Sequence, residues 1–319
     1  MTGLSWQAAT LILALAWFAA LNLAGSVVAL AAAQLFDDRL TASASRARRL
    51  LALRLAPALL SLSVTALVFV PAHIWLEPVR PDEKIGLVAL MLAAAGLLLL
   101  LCAAFRSARA VGRTVRLATL APQREIQRGA IRIMEVPGLS GVALAGIVRP
   151  RILIGTGARR VLTAAELDLA VAHERAHQRA GDNLSRLLIY CAPDFLGWVA
   201  QGGRLERLWE AEAECLADAA AADGNPARAT RLASALVKVA RLASAADRTW
   251  SPGWSTFHHA ALLQTRVRLL VSGTRVTPAT ARYVPAAAAC GLAAVATAWI
   301  TGLPRQLHWL TEVLVAVLP

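Results

Sequence analysis

Long apolar runs alternate with polar stretches along this chain. Three runs cover residues 6–36, 55–75 and 85–105, and a fourth covers residues 283–303. Each reaches or exceeds the roughly 20 residues that an α-helix needs to cross a bilayer. The first run has no basic region before it and is too long for the core of a signal peptide. The pattern therefore predicts four transmembrane helices, with residues 107–282 inserted as a domain between the third and the fourth.

The inserted domain shows two different periodicities. Three short β-favouring runs, separated by Pro and Gly, predict a small sheet over Ile131–Val136, Val142–Ile147 and Arg151–Ile154. Beyond the sheet, the pattern predicts helices over about 183–200, 204–222, 226–246 and 257–272. We expect a mainly α membrane protein that carries an α+β domain.

Composition agrees with a membrane protein rather than a soluble enzyme. The chain is 57% hydrophobic and only 17% charged, and its mean hydropathy is +0.55. Its net charge of +13 could indicate nucleic-acid binding. In a protein with membrane spans, arginine retained in cytoplasmic loops is the commoner cause, so we expect no direct nucleic-acid binding. The four cysteines lack C-x-x-C spacing and predict free thiols.

The distribution of charge predicts an orientation. Arginine is in excess in residues 37–50 and 106–116, whereas the segment between the second and third runs is acidic. The positive-inside rule then places the inserted domain in the cytoplasm and both termini outside a plasma or inner membrane. Tryptophans lie at the predicted outer ends, as in an interfacial aromatic belt: Trp6, Trp75, Trp299 and Trp309. We expect residues 1–106 to contain three spans, residues 107–282 to form the cytoplasmic domain and residues 283–303 to form the fourth span. Residues 304–319 are expected to be a short external tail that lies as a helix on the membrane.

The candidate chemistry lies in one helix of the inserted domain. His173, Glu174 and His177 form an H-E-x-x-H pattern. A capping box of Thr163 and Glu166 begins the helix, and a glycine at position 181 ends it. Positions i and i+4 share one face of a helix, so the two imidazoles can bind one metal ion.

A catalytic zinc usually has three protein ligands, so a third is needed. The next long helix offers Glu210, Glu212 and Glu214 as candidates by residue type. Glu214 lies one helical turn before Asp218, and that aspartate could accept a hydrogen bond from a ligand imidazole.

These residues resemble the gluzincin peptidases, in which an H-E-x-x-H helix is joined by a helix that bears Glu-x-x-x-Asp. The resemblance implies that one Zn²⁺ per chain is bound by His173, His177 and Glu214, and that Asp218 holds His173. It leaves Glu210 and Glu212 as surface acids, paired with Arg204 or Arg207.

A narrower resemblance is to the BlaR/MecR-type membrane metallopeptidases. It rests on the strand-bearing segment 146–154 before the motif helix, on Asp182 five residues after His177, and on three spans before the zinc domain and one after it. Antibiotic-sensing members carry a large external penicillin-binding domain after the fourth span, where this sequence has a 16-residue tail. We therefore do not expect β-lactam sensing by acylation.

The expected reaction is metal-assisted peptide hydrolysis, in which Glu174 takes a proton from the attacking water and returns it to the leaving amine. The strand Arg151–Ile154 could offer a free edge to an extended substrate. Candidates for a second oxyanion donor or a substrate contact are Arg266, His259 and His258.

Three functions follow. The first is regulatory cleavage of a cytoplasmic protein, which the resemblance suggests is a winged-helix transcriptional repressor. The second is quality-control proteolysis of membrane proteins, as in HtpX-type peptidases. The third is a non-proteolytic signal transducer with a structural zinc site, which the presence of the non-ligand Glu174 disfavours.

Overall fold

A computed structural model places the secondary-structure elements. It describes residues 5–37, 40, 42–76, 85–119, 124–128, 131–137, 139, 141–147, 150–242, 254–256, 262–273 and 296–317. Within these ranges the chain is mostly helical and contains one five-stranded sheet.

Three helices of the described part are long and apolar enough to cross a membrane. They are α1 (Trp6–Ala33), the continuous helix Ala44–Leu76, and the first 26 residues of α4 (Leu87–Thr119). The second consists of α2 (Ala44–Val64), a π-helical turn (Thr65–Phe69) and α3 (Val70–Leu76). These helices confirm three of the predicted spans, and residues 283–295 of the fourth lie outside the described residues.

The second helix begins at Ala44 rather than at residue 55, so the predicted loop 37–50 is partly wrong. The prediction ends the span at the first arginines because a charged side chain is usually solvated. Here Arg46 and Arg54 are buried and paired with acids of the inserted domain. The helix can therefore continue through both arginines.

The sheet has the strand order β1-β2-β4-β3-β5. Its strands are β1 (Arg124–Arg128), β2 (Ile131–Val136), β3 (Val142–Ala145), β4 (Arg151–Gly155) and β5 (Trp254–Thr256). Strand β4 pairs in parallel with β2 and antiparallel with β3. The predicted free edge at Arg151–Ile154 is therefore wrong, and the three successive buried residues Ile152, Leu153 and Ile154 are typical of a central strand.

Residues 296–300 are helical, and seven complete helices also follow in the described residues. They are α5 (Thr156–Val161), α6 (Ala164–Ala180), α7 (Asp182–Cys191), α8 (Ala200–Ala222), α9 (Pro226–Leu242), α10 (Leu263–Ser272) and α11 (Leu303–Val317). The predicted helix 183–200 ends early because Pro193 lacks a backbone N–H. A 3₁₀ turn, Phe195–Trp198, follows it.

The helices α6, α8 and α9 pack on the sheet around one apolar core. That core includes Ile154, Leu169, Val171, Ala221, Leu232 and Leu236, all buried. A second core joins the inserted domain to the second span, where Leu50, Leu51 and Leu55 pack against Ile189, Leu205, Leu208 and Trp209.

An ion pair reinforces this second contact. The Glu212 carboxylate lies 3.1 Å from Arg46 Nε and accepts a hydrogen bond from the Ser43 backbone N–H at 3.0 Å. Glu212 is completely buried, so its predicted place on the surface is wrong. The helix that carries Glu214 is thus fixed to the start of the second span.

Candidate metal centre

The H-E-x-x-H residues lie on helix α6, and Glu214 lies on helix α8. Local sequence signals determine where α6 begins and ends. Helix α6 begins with the predicted capping box, in which Thr163 and Glu166 satisfy each other's backbone N–H groups. It ends at Gly181, whose φ of 76° is a left-handed conformation that glycine adopts without strain. The chain turns there and starts α7 at the next residue. Helix α8 packs against α6 and supplies Glu214 and Asp218.

The side chains of His173, His177 and Glu214 are brought together and completely buried. The two imidazole Nε2 atoms lie 3.1 Å apart. Each Nε2 atom lies 3.4 Å from an oxygen of Glu214. Two ligand atoms about 2.05 Å from one tetrahedral ion would lie roughly 3.3 Å apart. The observed triangle therefore fits the three protein corners of a zinc tetrahedron.

Each imidazole is held from behind by its own carboxylate. Asp218 Oδ1 lies 3.0 Å from Nδ1 of His173, and Asp182 Oδ2 lies 2.6 Å from Nδ1 of His177. A proton on Nδ1 leaves the lone pair of Nε2 facing the centre. The place of Asp218 agrees with the sequence expectation. The contact of Asp182 was missed, although its position directly after the helix-ending glycine was visible in the sequence.

Two buried arginines pair with different oxygens of Glu214. Arg186 Nη2 donates to Oε1 at 3.1 Å, and Arg266 Nη1 lies 3.0 Å from Oε2. Arg266 also donates two hydrogen bonds of 2.7 Å to Asp218. This position favours a role in fixing the carboxylates over the predicted role as an oxyanion donor. The contribution of Arg186 was not expected from the sequence.

Neighbouring charges shift the pKa values of several groups at the centre. Burial would lower the pKa of His177, but Glu214 and Asp182 outweigh it and raise that pKa to about 10. Burial would raise the pKa of Glu214 and of Asp218, yet Arg266 and the imidazoles hold the pKa of Glu214 well below its ordinary value and lower that of Asp218. Burial raises the pKa of the adjacent Cys215 thiol to about 12, so this sulfur stays protonated and is a poor metal ligand.

The donor set suits a divalent cation. Two imidazole nitrogens and a carboxylate meet at one buried point, and the side chains of Asp182, Asp218, Arg186 and Arg266 hold them there. Nitrogen and carboxylate donors at tetrahedral spacing are those that zinc binds. The residues present therefore fit the predicted metal.

The remaining predicted residues fall in different places. Glu174 is completely buried, next to His173 on α6. Glu210 is partly exposed, and its Oε1 lies 3.9 Å from Arg186 Nε. Arg204 donates instead to the carbonyls of Ala33 and Phe36 at the end of the first span. His258 and His259 lie outside the described residues.

A comparison with protein families agrees with this centre. A family model described as BlaR1 peptidase M56 matches residues 83–270, which is more than half of the chain and includes every residue of the centre. A search of curated proteins found no match. The three apolar helices and the His173–His177–Glu214 triad are what a membrane-associated metallopeptidase requires. The chain belongs to the BlaR1 peptidase M56 family, as its resemblance to the BlaR/MecR-type metallopeptidases indicated.

Proposed function

We propose that this protein is a zinc endopeptidase of the gluzincin type with one zinc site per chain. The observation that carries the proposal is the triangle of His173, His177 and Glu214, with ligand atoms 3.1 to 3.4 Å apart. Two imidazoles and one carboxylate leave a fourth tetrahedral position for water or substrate, which is typical of catalytic rather than structural zinc sites.

The residues of the centre have distinct parts in the proposed reaction. His173, His177 and Glu214 would hold the zinc, which when bound polarises a peptide carbonyl and makes a water more acidic. Glu174 accepts a proton from the attacking water and delivers it to the leaving amine. Asp218 and Asp182 keep Nδ1 of the two imidazoles protonated, and Arg186 and Arg266 keep Glu214 ionised.

For the substrate we propose a cytoplasmic protein, with regulatory cleavage of a transcriptional repressor as the first hypothesis. The support is the family resemblance, together with the arginine distribution that favours a cytoplasmic domain and external termini.

A comparison of protein N-termini in cells tests this proposal. Cells with the wild-type chain should contain new N-termini that are absent with Glu174→Gln. The matched control is Asp168→Asn, an equally conservative change on the exposed face of the same helix, and it should preserve the cleavage.

The pattern of fragments separates the candidate functions. One cleaved regulator supports signalling, whereas many fragments of unfolded membrane proteins support quality control. Identical N-termini in wild-type and Glu174→Gln cells, with signalling intact, would favour the non-proteolytic transducer and refute the protease.

A further inference from the structure

The segment between α7 and α8 has an unusual surface for part of a peptidase domain. Residues 192–199, here called the α7–α8 segment, contain the 3₁₀ turn Phe195–Trp198. Leu196 is completely buried, but Trp198 is 52% exposed and Val199 is 39% exposed. Exposed tryptophan beside exposed valine indicates a surface that faces something apolar.

This segment is bound by polar side chains of all three described spans. Asn22 of the first span donates to the Pro193 carbonyl at 2.9 Å and accepts from the Phe195 N–H at 3.2 Å. Arg54 of the second span donates to Asp194 at 2.6 Å. Arg106 of α4 donates to the Ala192 carbonyl at 2.7 Å. The segment therefore lies between the spans rather than beyond their ends.

The depth of the α7–α8 segment in the membrane follows from helix geometry. Aromatic side chains in contact mark the opposite membrane face, where Trp6 stacks on His73 and Trp75 packs on Trp299. At 1.5 Å per residue, Asn22 lies about 24 Å from Trp6 and Arg54 about 32 Å from Trp75. Because the hydrocarbon core is roughly 30 Å thick, these contacts lie at its boundary on the side of the peptidase domain.

Backbone polar groups of the segment have the hydrogen-bond partners that this depth requires. Non-helical backbone at membrane depth is tolerated only where protein groups satisfy its polar atoms. The spans supply partners for Ala192, Pro193 and Phe195, and Asp194 accepts from the Gly197 N–H at 3.0 Å. These backbone groups are hydrogen-bonded to protein, while the side chains of Trp198 and Val199 are exposed.

A neighbouring residue shows the same exposure. Phe105 precedes Arg106 on α4 and is 67% exposed, about 27 Å along the helix from Leu87. Tryptophan and other aromatic side chains are enriched where hydrocarbon meets headgroups. Phe105 and Trp198 therefore lie at the level expected for the aromatic belt on this side.

We propose that the α7–α8 segment is a re-entrant membrane contact of the peptidase domain, with Trp198 and Val199 packed against lipid. Helix α7 is only about 15 Å long, so Asp182 and the metal centre lie close to the bilayer. If the centre cleaves peptides as proposed above, a cytoplasmic substrate must approach the membrane surface to reach it.

Spin labels in the full-length chain test the contact. A cysteine-free variant reconstituted in lipid nanodiscs would carry a nitroxide at Trp198→Cys or, as a second probe of the same surface, at Val199→Cys. Two reference sites calibrate the measurement: Leu98→Cys is exposed in the middle of α4, and Ala227→Cys is exposed beyond the far end of α8, about 33 Å from the segment.

The measurement is the collision rate of each label with oxygen, which concentrates in lipid, and with a water-soluble nickel chelate. We expect oxygen to dominate at positions 198 and 199, as at position 98, and nickel to dominate at position 227. Nickel access at 198 and 199 equal to that at 227 would place the segment in water. Protection from both reagents would mean that protein covers it, and either result overturns the lipid contact. Neither of these outcomes depends on peptidase activity.

Discussion

At the residue scale, the centre depends on pairs in which one side chain fixes the chemical form of another. Asp182 determines which nitrogen of His177 faces the metal position, and Asp218 does the same for His173. Carboxylates in this position also increase the basicity of the ligand nitrogen. Their effect should therefore appear in metal affinity as well as in activity.

The change Asp182→Asn tests whether Asp182 supports metal binding through His177. It keeps the size of the side chain but removes the charge that holds the Nδ1 proton, so we expect a roughly 10- to 100-fold loss of zinc affinity. Competition with a chelator measures that affinity. The matched control is Asp223→Asn, which makes the same change at a side chain that is 79% exposed. Equal affinity in the two variants would contradict the role given to Asp182.

At the element scale, α6 is held by more than its cap. Glu166 accepts two hydrogen bonds from Lys238 Nζ at 2.7 and 2.8 Å and one from Ser234 at 2.8 Å, which ties the start of α6 to α9. Burial opposes ionisation, but these bonds outweigh it and lower the pKa of Glu166 to about 2.

A pH dependence follows for Glu166→Gln. Because the folded-state pKa lies below the ordinary value of 4.5, the stabilisation is complete above pH 4.5 and is lost as pH falls towards 2. We expect the variant to be less stable by about 1 to 2 kcal/mol at pH 7, since Lys238 is partly exposed. Unfolding in detergent should show that the difference in free energy of unfolding between the wild type and the variant becomes smaller below pH 4.5. A gap that is constant with pH would rule out the ionised pair as its cause.

The start of α8 makes a close approach that only glycine allows. A Cβ at Gly202 would lie 1.9 Å from the Leu196 carbonyl oxygen, which is backbone of the α7–α8 segment. A Cβ at Gly203 would meet only the mobile end of Arg207, at 3.3 Å. The two adjacent glycines therefore form a natural pair for comparison.

We expect Gly202→Ala to destabilise the protein by about 1 to 3 kcal/mol, because the backbone must shift to accept the methyl group. Gly203→Ala should be neutral or stabilise by up to about 1 kcal/mol through helix propensity. Thermal unfolding of both variants measures the difference. Equal midpoints would show that α8 does not need the close packing on Leu196.

At the scale of the whole molecule, buried ion pairs join the spans to the peptidase domain. Arg54 and Asp194 lie 2.6 Å apart, with side chains only 2% and 0% exposed. Removing one partner of such a pair leaves an uncompensated buried charge, which costs about 3 to 5 kcal/mol.

The change Arg54→Met should therefore lower stability by several kcal/mol. Asp194→Asn in the same chain should recover part of the loss, because it removes the stranded charge. Arg48→Met, at an exposed position on the same helix, is the control. Unfolding in detergent tests all three, and an Arg54→Met variant as stable as Arg48→Met would contradict the coupling.

Much of this architecture could be predicted because its signals are local. The i, i+4 spacing of His173 and His177, the capping box and the position of Gly181 all act within one or two helical turns. Three apolar runs were long enough to identify as spans.

The features that escaped prediction depend on partners far away in the sequence. Arg46 lies buried in a helix because both Asp37 and the distant Glu212 pair with it, and the sequence near Glu212 gives no sign of that contact. Strand β4 is central because β2 and β3 flank it, which a pattern of single strands does not reveal. The contacts of Arg186 and Arg266 also require the assembled fold.

The most direct test of the proposed function combines zinc content and peptide hydrolysis in the same purified, full-length samples. The wild-type chain should bind one zinc and cleave a peptide substrate. Glu174→Gln should keep the zinc, because Glu174 is not one of the three proposed ligands, and lose roughly 100- to 10,000-fold in rate, the usual contribution of a general base. A Glu174→Gln protein that cleaves at the wild-type rate, or a wild-type protein that binds no zinc, would contradict the account.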